Sequence, residues 1–243
     1  MPNWKLTISY FGKDFYGFQK QKDKRTVQGV LENILKDIFQ EDIRIIGAGR
    51  TDRGVHAINQ VVNFKTEKDF HIEKLKYVLN SLLPRDITLK DLEIVGDDFH
   101  ARYSAKNKTY MYIIYNSKNI SPFLWDFTWQ ISKSLNVDLL MRSAELILGE
   151  HDFINFCSLD EKKNTIIKIE SAYWEKKGEF LFFFITASHF LRKMVRFLVG
   201  GMVEVGLEKK DIEEWKLYLE KKFDKRFGKC APSEGLYLLN VKY

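Results

Sequence analysis

The feature that most constrains the fold is a regular alternation of helix and strand periodicity along the whole chain of 243 residues. Residues 27–38 place apolar side chains at helical spacing directly after Thr26, which predicts a helix with Thr26 as its N-cap. Residues 72–83 predict a second helix that ends before Pro84. The strand patterns up to residue 115 are residues 4–10, 43–47, 61–64, 87–95 and 109–115.

The second half of the chain repeats the alternation. The predicted helices are residues 138–148, 189–205 and 211–222, and the predicted strands are residues 165–174, 180–187 and 236–242. No linker rich in proline or glycine separates the halves. The pattern therefore predicts an α+β fold of two lobes, residues 1–104 and 105–243, in which helices cover one face of a mostly antiparallel sheet.

Composition excludes several classes of protein. The chain is 45% hydrophobic and 30% charged, which is unlike a disordered or collagenous sequence. Its longest apolar run, residues 180–185, is far shorter than the roughly 20 residues of a membrane span. The N-terminus lacks the basic and apolar regions of a secretory signal, so we expect a cytoplasmic protein without a membrane partner.

The sequence contains no recognisable metal-ligating pattern. The 2 cysteines form no CxxC pair and the 5 histidines have no HExxH spacing, so no metal site is expected.

The formal net charge is +6. A basic balance of this kind favours an acidic partner such as nucleic acid.

The segment GAGRTDRGVHA, residues 47–57, is the most unusual stretch. Asp52 stands where a dinucleotide-binding G-x-G-x-x-G needs its third glycine, and neither GK[ST] nor G-x-S-x-G occurs in the chain. A carboxylate remains, on a glycine-permitted turn between Arg50 and Arg53. Neighbouring cations favour the ionised form of a carboxylate, which suits a nucleophile or base. A turn held together by an Asp52–arginine pair is the structural alternative.

This segment closely resembles the catalytic motif of the TruA family of tRNA pseudouridine synthases. The resemblance covers almost the whole chain in the order of the family's motifs. Its further blocks are ISYFGKDFYGFQKQ with TVQGVLENIL, then LNSLLPRDI, FHARYSAKNKTYMYIIYN, ASHFLRKMVRFLVGGMVEVG and APSEGLYLLNVKY.

The resemblance implies a fold and a reaction. The fold would be the pseudouridine synthase fold, two ferredoxin-like α/β lobes with an RNA-binding cleft between them. The enzyme would be an isomerase that converts uridine to pseudouridine at positions 38, 39 and 40 of the tRNA anticodon stem-loop. This reaction needs neither a cofactor nor a metal, and family members work as homodimers.

The resemblance also assigns catalytic roles. Asp52 matches the essential aspartate and would be the nucleophile, attacking either the ribose C1′ or the uracil C6. Arg50 would position the loop and help to hold the flipped nucleotide. Tyr110 matches the tyrosine that stacks on the target base and takes part in proton transfer at C5, although an alternating strand also suits a core tyrosine. Arg196 matches the arginine that pairs with the catalytic aspartate.

Two positions depart from the family's pattern. Arg53 stands where alanine is most frequent, and Phe18 stands where tryptophan is most frequent. Arg53 adds charge beside the nucleophile, where it would contact RNA phosphate or point away as a surface residue. Neither change removes a residue that the chemistry requires.

Three more residues are candidates for substrate binding. Arg192 lies four residues before Arg196 in the predicted helix, so the two would share one face, with one toward the carboxylate and the other toward RNA phosphate. Two arginines on an ordinary helix surface are the alternative. Leu236 would form an apolar wall for the uracil, or simply belong to the core. His56 would face RNA or have a structural role.

Two further functions are compatible with the sequence. A pseudouridine synthase could act at another RNA position, and a catalytically silent relative could bind tRNA without chemistry. The second is disfavoured because the chain keeps Asp52, Arg50, Tyr110 and Arg196.

Overall fold

Helices and strands alternate as the sequence predicts, in a computed structural model that describes residues 1–158, 164–220, 223 and 225–243. In chain order the elements are β1 (Asn3–Tyr10), α1 (Val27–Phe39), β2 (Ile46–Gly47), β3 (His56–Lys65), α2 (Ile72–Leu82), β4 (Ile87–Val95), β5 (Asn107–Asn116), a 3₁₀ helix (Pro122–Leu124), β6 (Trp129–Ile131), α3 (Val137–Glu145), β7 (Gly149–Asp152), a second 3₁₀ helix (Phe153–Phe156), β8 (Ile166–Lys177), β9 (Phe180–Ala187), α4 (Met194–Gly206), α5 (Ile212–Glu220) and β10 (Leu236–Lys242).

The chain divides into two units, and the end of the chain belongs with its beginning. Unit 1 comprises Met1–Lys106 and Tyr237–Tyr243, and unit 2 comprises Asn107–Leu236. The predicted lobes, 1–104 and 105–243, stay a prediction about domains. The units differ from them mainly in β10, whose residues pair in parallel with β3 of unit 1.

Unit 1 is built on β1, which pairs antiparallel with β3 on one side and with β4 on the other. Trp4 of β1 is the register partner of Phe64 of β3, and their rings stack at a centroid distance of 6.5 Å. Helix α1 packs its apolar face here, with Phe39 edge-on to Phe64 at 5.7 Å. The Thr26 side chain accepts a hydrogen bond from the Gly29 N–H, so the predicted N-cap is confirmed.

Unit 2 contains a second, antiparallel run of strands. β9 pairs with β5 and with β8, and β7 pairs with β8, while β6 joins β5 in parallel. Trp215 of α5 lies edge-on to Phe156 at 5.0 Å, and its indole N–H donates to the Ser143 carbonyl at 3.1 Å. The mixed helix and strand content and the mostly antiparallel pairing are therefore as predicted.

Two predicted boundaries in the loops are wrong. Residues 43–45 are not part of β2, because the Ile45 N–H donates to the Glu32 carboxylate of α1 at 3.2 Å instead of to a strand. The helix predicted over 138–148 ends at Glu145, because Gly149 has a φ of +88° and begins the short strand β7.

The helix predicted over 189–205 begins later than expected. Lys193 has a φ of +63°, a left-handed conformation that cannot belong to the helix, so α4 begins at Met194. The helix predicted over 211–222 is present as α5, but residues 221 and 222 lie outside the described residues.

Within the described residues, no helix combines the length and the hydropathy that crossing a bilayer requires.

Candidate active site

The loop that carries Asp52 connects two antiparallel strands of unit 1, β2 and β3. The Ala48 N–H donates to the Val61 carbonyl at 2.8 Å, which closes the base of the loop. The Val55 N–H donates to the Asp52 carbonyl at 3.2 Å, which makes a turn directly after the carboxylate. Gly54 within that turn has a φ of +79°, a conformation that residues with a Cβ rarely adopt.

A buried polar network supports the loop from below. The Gln60 side chain of β3 is fully buried, and its amide donates to the Gly49 carbonyl at 2.9 Å. The Tyr10 hydroxyl shares a 2.8 Å hydrogen bond with the Thr51 hydroxyl, and the Gln60 amide donates to the same tyrosine oxygen at 3.4 Å. Burial raises the pKa of Tyr10 to about 12, so this phenol is neutral at physiological pH.

Residues 12–18, which we call the clamp segment, pack against the other side of the loop. A Cβ at Gly12 would lie 2.0 Å from the Val55 carbonyl oxygen, and one at Gly17 would lie 2.8 Å from the Thr51 carbonyl oxygen. The Phe18 N–H donates to the same Thr51 oxygen at 3.1 Å. These main-chain contacts leave no space for a Cβ at residue 12 or 17. They therefore fix the position of the loop backbone.

The charged residues of the loop are partly or fully exposed. Thr51 is buried, Asp52 is partly exposed, and Arg50 and Arg53 are exposed. The loop thus carries one partly exposed carboxylate, flanked in sequence by two exposed arginines, on a backbone that is held from two sides. Such a carboxylate can act as a nucleophile or as a hydrogen-bond acceptor, and the arginines can contact an anionic ligand.

His56 occupies a different environment from the one a substrate contact requires. It is 1% exposed, and its ring stacks on Phe11 at 4.9 Å and on Tyr237 at 4.7 Å. Its Nδ1 accepts a hydrogen bond from the Gly12 N–H at 2.9 Å. Both faces of the ring are covered, so His56 helps to hold the clamp segment, and its contact with RNA stays a prediction.

The remaining predicted site residues belong to unit 2. Tyr110 lies on β5 opposite Ile185 of β9 and is 8% exposed. Its ring meets Phe190 edge-on, with centroids 5.1 Å apart and an interplanar angle of 88°. Leu236, the first residue of β10, is 6% exposed, and its N–H donates to the Ser233 carbonyl at 3.0 Å.

Arg196 is fixed by its own side chain. Its Nε–H donates to the Ala231 carbonyl at 2.7 Å, and the Ala231 N–H donates back to the Arg196 carbonyl at 3.0 Å. The pairing of Arg196 with Asp52 stays a prediction. The prediction that Arg192 shares a helix face with Arg196 is wrong, because Arg192 precedes α4 and lies exposed in a turn before Lys193.

Sequence reasoning missed the residues that support the loop. Gln60 had a usable signal, since it is a polar side chain directly before the apolar run of β3. Gly12 and Gly17 bracket a short turn, which predicts a bend. Their contact with residues 51–55 joins distant parts of the chain and has no sequence signal.

Among the described residues, no group of three or more His, Cys, Asp or Glu side chains could hold a metal ion.

Comparison with known proteins identifies the family of the chain. The family model described as tRNA pseudouridine synthase matches residues 6–104 and 144–243, ranges that contain Asp52 and Arg196 but not Tyr110. A tRNA pseudouridine synthase A from Dictyoglomus thermophilum is 55% identical over 100% of both chains. Enzymes of the same name from Caldicellulosiruptor bescii and Aquifex aeolicus are 43% and 39% identical, over 100% and 99% of both chains. The chain belongs to the tRNA pseudouridine synthase family, as its motifs predicted, and therefore to a family of isomerases.

Proposed function

We propose that this protein isomerises uridine to pseudouridine at positions 38, 39 and 40 of the tRNA anticodon stem-loop. Family membership supports the reaction and the class of RNA. The resemblance of the sequence motifs supports the positions. The observation that carries the proposal is the partly exposed Asp52 on a loop whose backbone is held by the clamp segment and by the buried Gln60 network.

The reaction is an isomerisation within one nucleotide. The N1–C1′ glycosidic bond breaks, the uracil rotates, and a C5–C1′ bond forms. The proton on C5 leaves and N1 gains a proton, so no atom is added to the product. A nucleophile, a surface for the rotating base and a route for the C5 proton are sufficient for this chemistry.

Asp52 is the proposed nucleophile, at either the ribose C1′ or the uracil C6. A carboxylate on a fixed backbone needs little reorganisation to reach the reacting carbon, which favours catalysis by positioning. Arg50, exposed two residues earlier, helps to hold the nucleotide that has flipped out of the stem-loop.

Tyr110 is the proposed stacking partner of the uracil and takes part in removing the C5 proton. An aromatic ring gives the detached base a flat surface on which to rotate without escaping. Leu236 would add an apolar wall, and Arg196 would pair with the Asp52 carboxylate. Arg192 and Arg53, both exposed, would contact phosphate.

The proposed assembly is a homodimer that binds tRNA in the cytoplasm. Each chain has a formal net charge of +6, so a dimer carries twice that charge. A concentrated positive charge favours RNA through the release of counterions from the phosphate backbone.

The test is to map pseudouridine in an unmodified tRNA transcript after incubation with the purified protein. We expect pseudouridine at those of positions 38, 39 and 40 that are uridine. A matched transcript with cytidine at all three positions is the control and should remain unmodified.

Two results would overturn the proposal. Pseudouridine at other positions, with none at 38–40, would indicate an enzyme with a different target. Tight tRNA binding with no pseudouridine in any transcript would indicate a binding protein. Sedimentation of the protein at micromolar concentration tests the homodimer separately.

A further inference from the structure

Two cations approach one exposed aromatic ring next to the Asp52 loop. The Arg53 guanidinium lies 4.3 Å from the centroid of the Tyr16 ring, and the Lys24 ammonium lies 4.7 Å from the same centroid. Tyr16 is 37% exposed, and both cations are exposed. We call these three residues the Tyr16 cluster.

The residue before Tyr16, Phe15, makes a similar cation–π contact, but there the cation already has an anionic partner. Phe15 is 1% exposed, and the Arg25 guanidinium lies 4.1 Å from its ring centroid. Asp86 neutralises Arg25 through two hydrogen bonds of 2.7 and 2.9 Å. This cation therefore already has an anionic partner within the protein.

The Tyr16 cluster lacks such a partner. No ion pair of the described residues includes Arg53 or Lys24. Two positive charges near one ring repel each other, and a nearby anion relieves the repulsion. A planar guanidinium beside an ammonium is a combination that suits the oxygens of a phosphate group.

The backbone of Tyr16 is held, so the cluster has a defined place. The Tyr16 N–H donates to the Arg25 carbonyl at 2.9 Å, and the Gln21 side chain donates to the Tyr16 carbonyl at 2.7 Å. Tyr16 is also part of the clamp segment that fixes the Asp52 loop. Asp52 directly precedes Arg53 in the chain. A group that binds to the cluster is therefore held at a defined position relative to Asp52.

We propose that the Tyr16 cluster binds a phosphodiester group of the tRNA backbone close to the target nucleotide. Tyr16 is a positioning residue in this site, because its ring lies against both Arg53 and Lys24. The inference rests on the proposed function and extends it to two residues, Tyr16 and Lys24, that the sequence motifs did not single out.

The test measures affinity for an unmodified tRNA transcript across a series of KCl concentrations. Each phosphate contact contributes about 0.7 to 0.9 to the slope of log K against log salt. We expect Arg53→Ala and Lys24→Ala each to reduce the slope by roughly that amount. Tyr16→Leu should reduce it as well, while Tyr16→Phe keeps the ring and should restore the wild-type slope.

Lys22→Ala is the matched control, because it removes the same charge from an exposed neighbour that has no described contact with the Tyr16 ring. Its slope should stay at the wild-type value. A wild-type slope for Lys24→Ala, or for folded Tyr16→Leu, would overturn the proposal. If Tyr16→Leu does not fold, the two exposed cations decide the question.

The yield of pseudouridine from the wild-type protein separates this inference from the proposed function. Pseudouridine formation with slopes that do not respond to the variants contradicts the phosphate site alone. Absence of pseudouridine in every transcript contradicts the proposed function.

Discussion

Two regions of the molecule hold a charged residue in place by opposite means. In unit 1 the backbone around Asp52 is fixed by main-chain contacts with the clamp segment, while the charged side chains remain at the surface. In unit 2 the side chain of Arg196 is itself fixed, through a 2.7 Å hydrogen bond to the Ala231 carbonyl.

The difference predicts what a substitution in each region would remove. A change to the Asp52 side chain removes a chemical group but leaves the supporting contacts intact. A change to Arg196 removes the charge together with the hydrogen bond that holds Ala231. Variants of the two regions should therefore separate loss of chemistry from loss of structure.

The largest expected effect belongs to Asp52→Asn. An amide cannot replace a carboxylate nucleophile, so pseudouridine formation should be abolished. Affinity for tRNA should stay within a few-fold of wild type, because it depends on many phosphate contacts. Purified protein, a single-turnover assay and a binding titration test both statements, and near-normal turnover would exclude Asp52 as the nucleophile.

Tyr110→Phe should have the next largest effect. The ring and its stacking are preserved, so tRNA binding should survive. If the hydroxyl moves a proton at C5, turnover should fall by about 10²-fold or more, the usual range for a lost general acid or base. Equal single-turnover rates for the variant and the wild type would leave stacking as the only role of Tyr110.

Arg196→Ala should affect both stability and chemistry. Loss of a charge-assisted hydrogen bond to Ala231 should lower the free energy of unfolding by about 1.5–3 kcal/mol. If Arg196 pairs with Asp52, the single-turnover rate at saturating tRNA should also fall, because the carboxylate loses its cationic partner. The salt slope of tRNA binding should change little, and a normal single-turnover rate would refute the pair.

Tyr10→Phe should have the smallest effect on the free energy of unfolding. Only at alkaline pH should the variant gain stability relative to the wild type. The unfolded chain ionises this phenol near pH 10, whereas folding raises its pKa to about 12. Between those values the unfolded state binds fewer protons, so wild-type stability falls by about 1.4 kcal/mol per pH unit.

The variant lacks this alkaline contribution, although it loses the bond to Thr51 at neutral pH. Urea unfolding at neutral pH and at several values above pH 10 measures the difference. A wild-type alkaline slope in Tyr10→Phe would show that the phenol does not contribute.

The sequence was sufficient to predict the elements whose periodicity comes from burial on one face. Helix α1 with its Thr26 cap and strands β4 and β9 lie where the pattern placed them. Asp52 could be singled out because charged residues and glycines are concentrated around it.

Features that depend on contacts between distant residues could not be predicted. The Ile45 N–H bonds to Glu32 and not to a strand, so an apolar, alternating stretch is mostly loop. The left-handed Lys193 displaces Arg192 from α4, although the sequence has good helical spacing there. The close approach of Gly17 to Thr51 likewise depends on the folded backbone.

Gly17→Ala shows whether the clamp segment positions Asp52 for attack on the target nucleotide. Gly17 has a φ of +89°, and a Cβ there would lie 2.8 Å from the Thr51 carbonyl oxygen, so the clamp segment and the loop cannot keep their contact unchanged. Gly178→Ala is the control for a positive φ, because its φ of +61° is also left-handed but a Cβ there would meet nothing within 4 Å.

The measurement is the single-turnover rate of pseudouridine formation at saturating tRNA, with thermal unfolding recorded for both variants. We expect Gly17→Ala to be about 100-fold slower than wild type, the effect of displacing a reactive group by about 1 Å. Gly178→Ala should lose about 1–2 kcal/mol of stability and keep its rate. Equal rates for folded Gly17→Ala and Gly178→Ala would contradict the claim that the clamp segment positions the nucleophile.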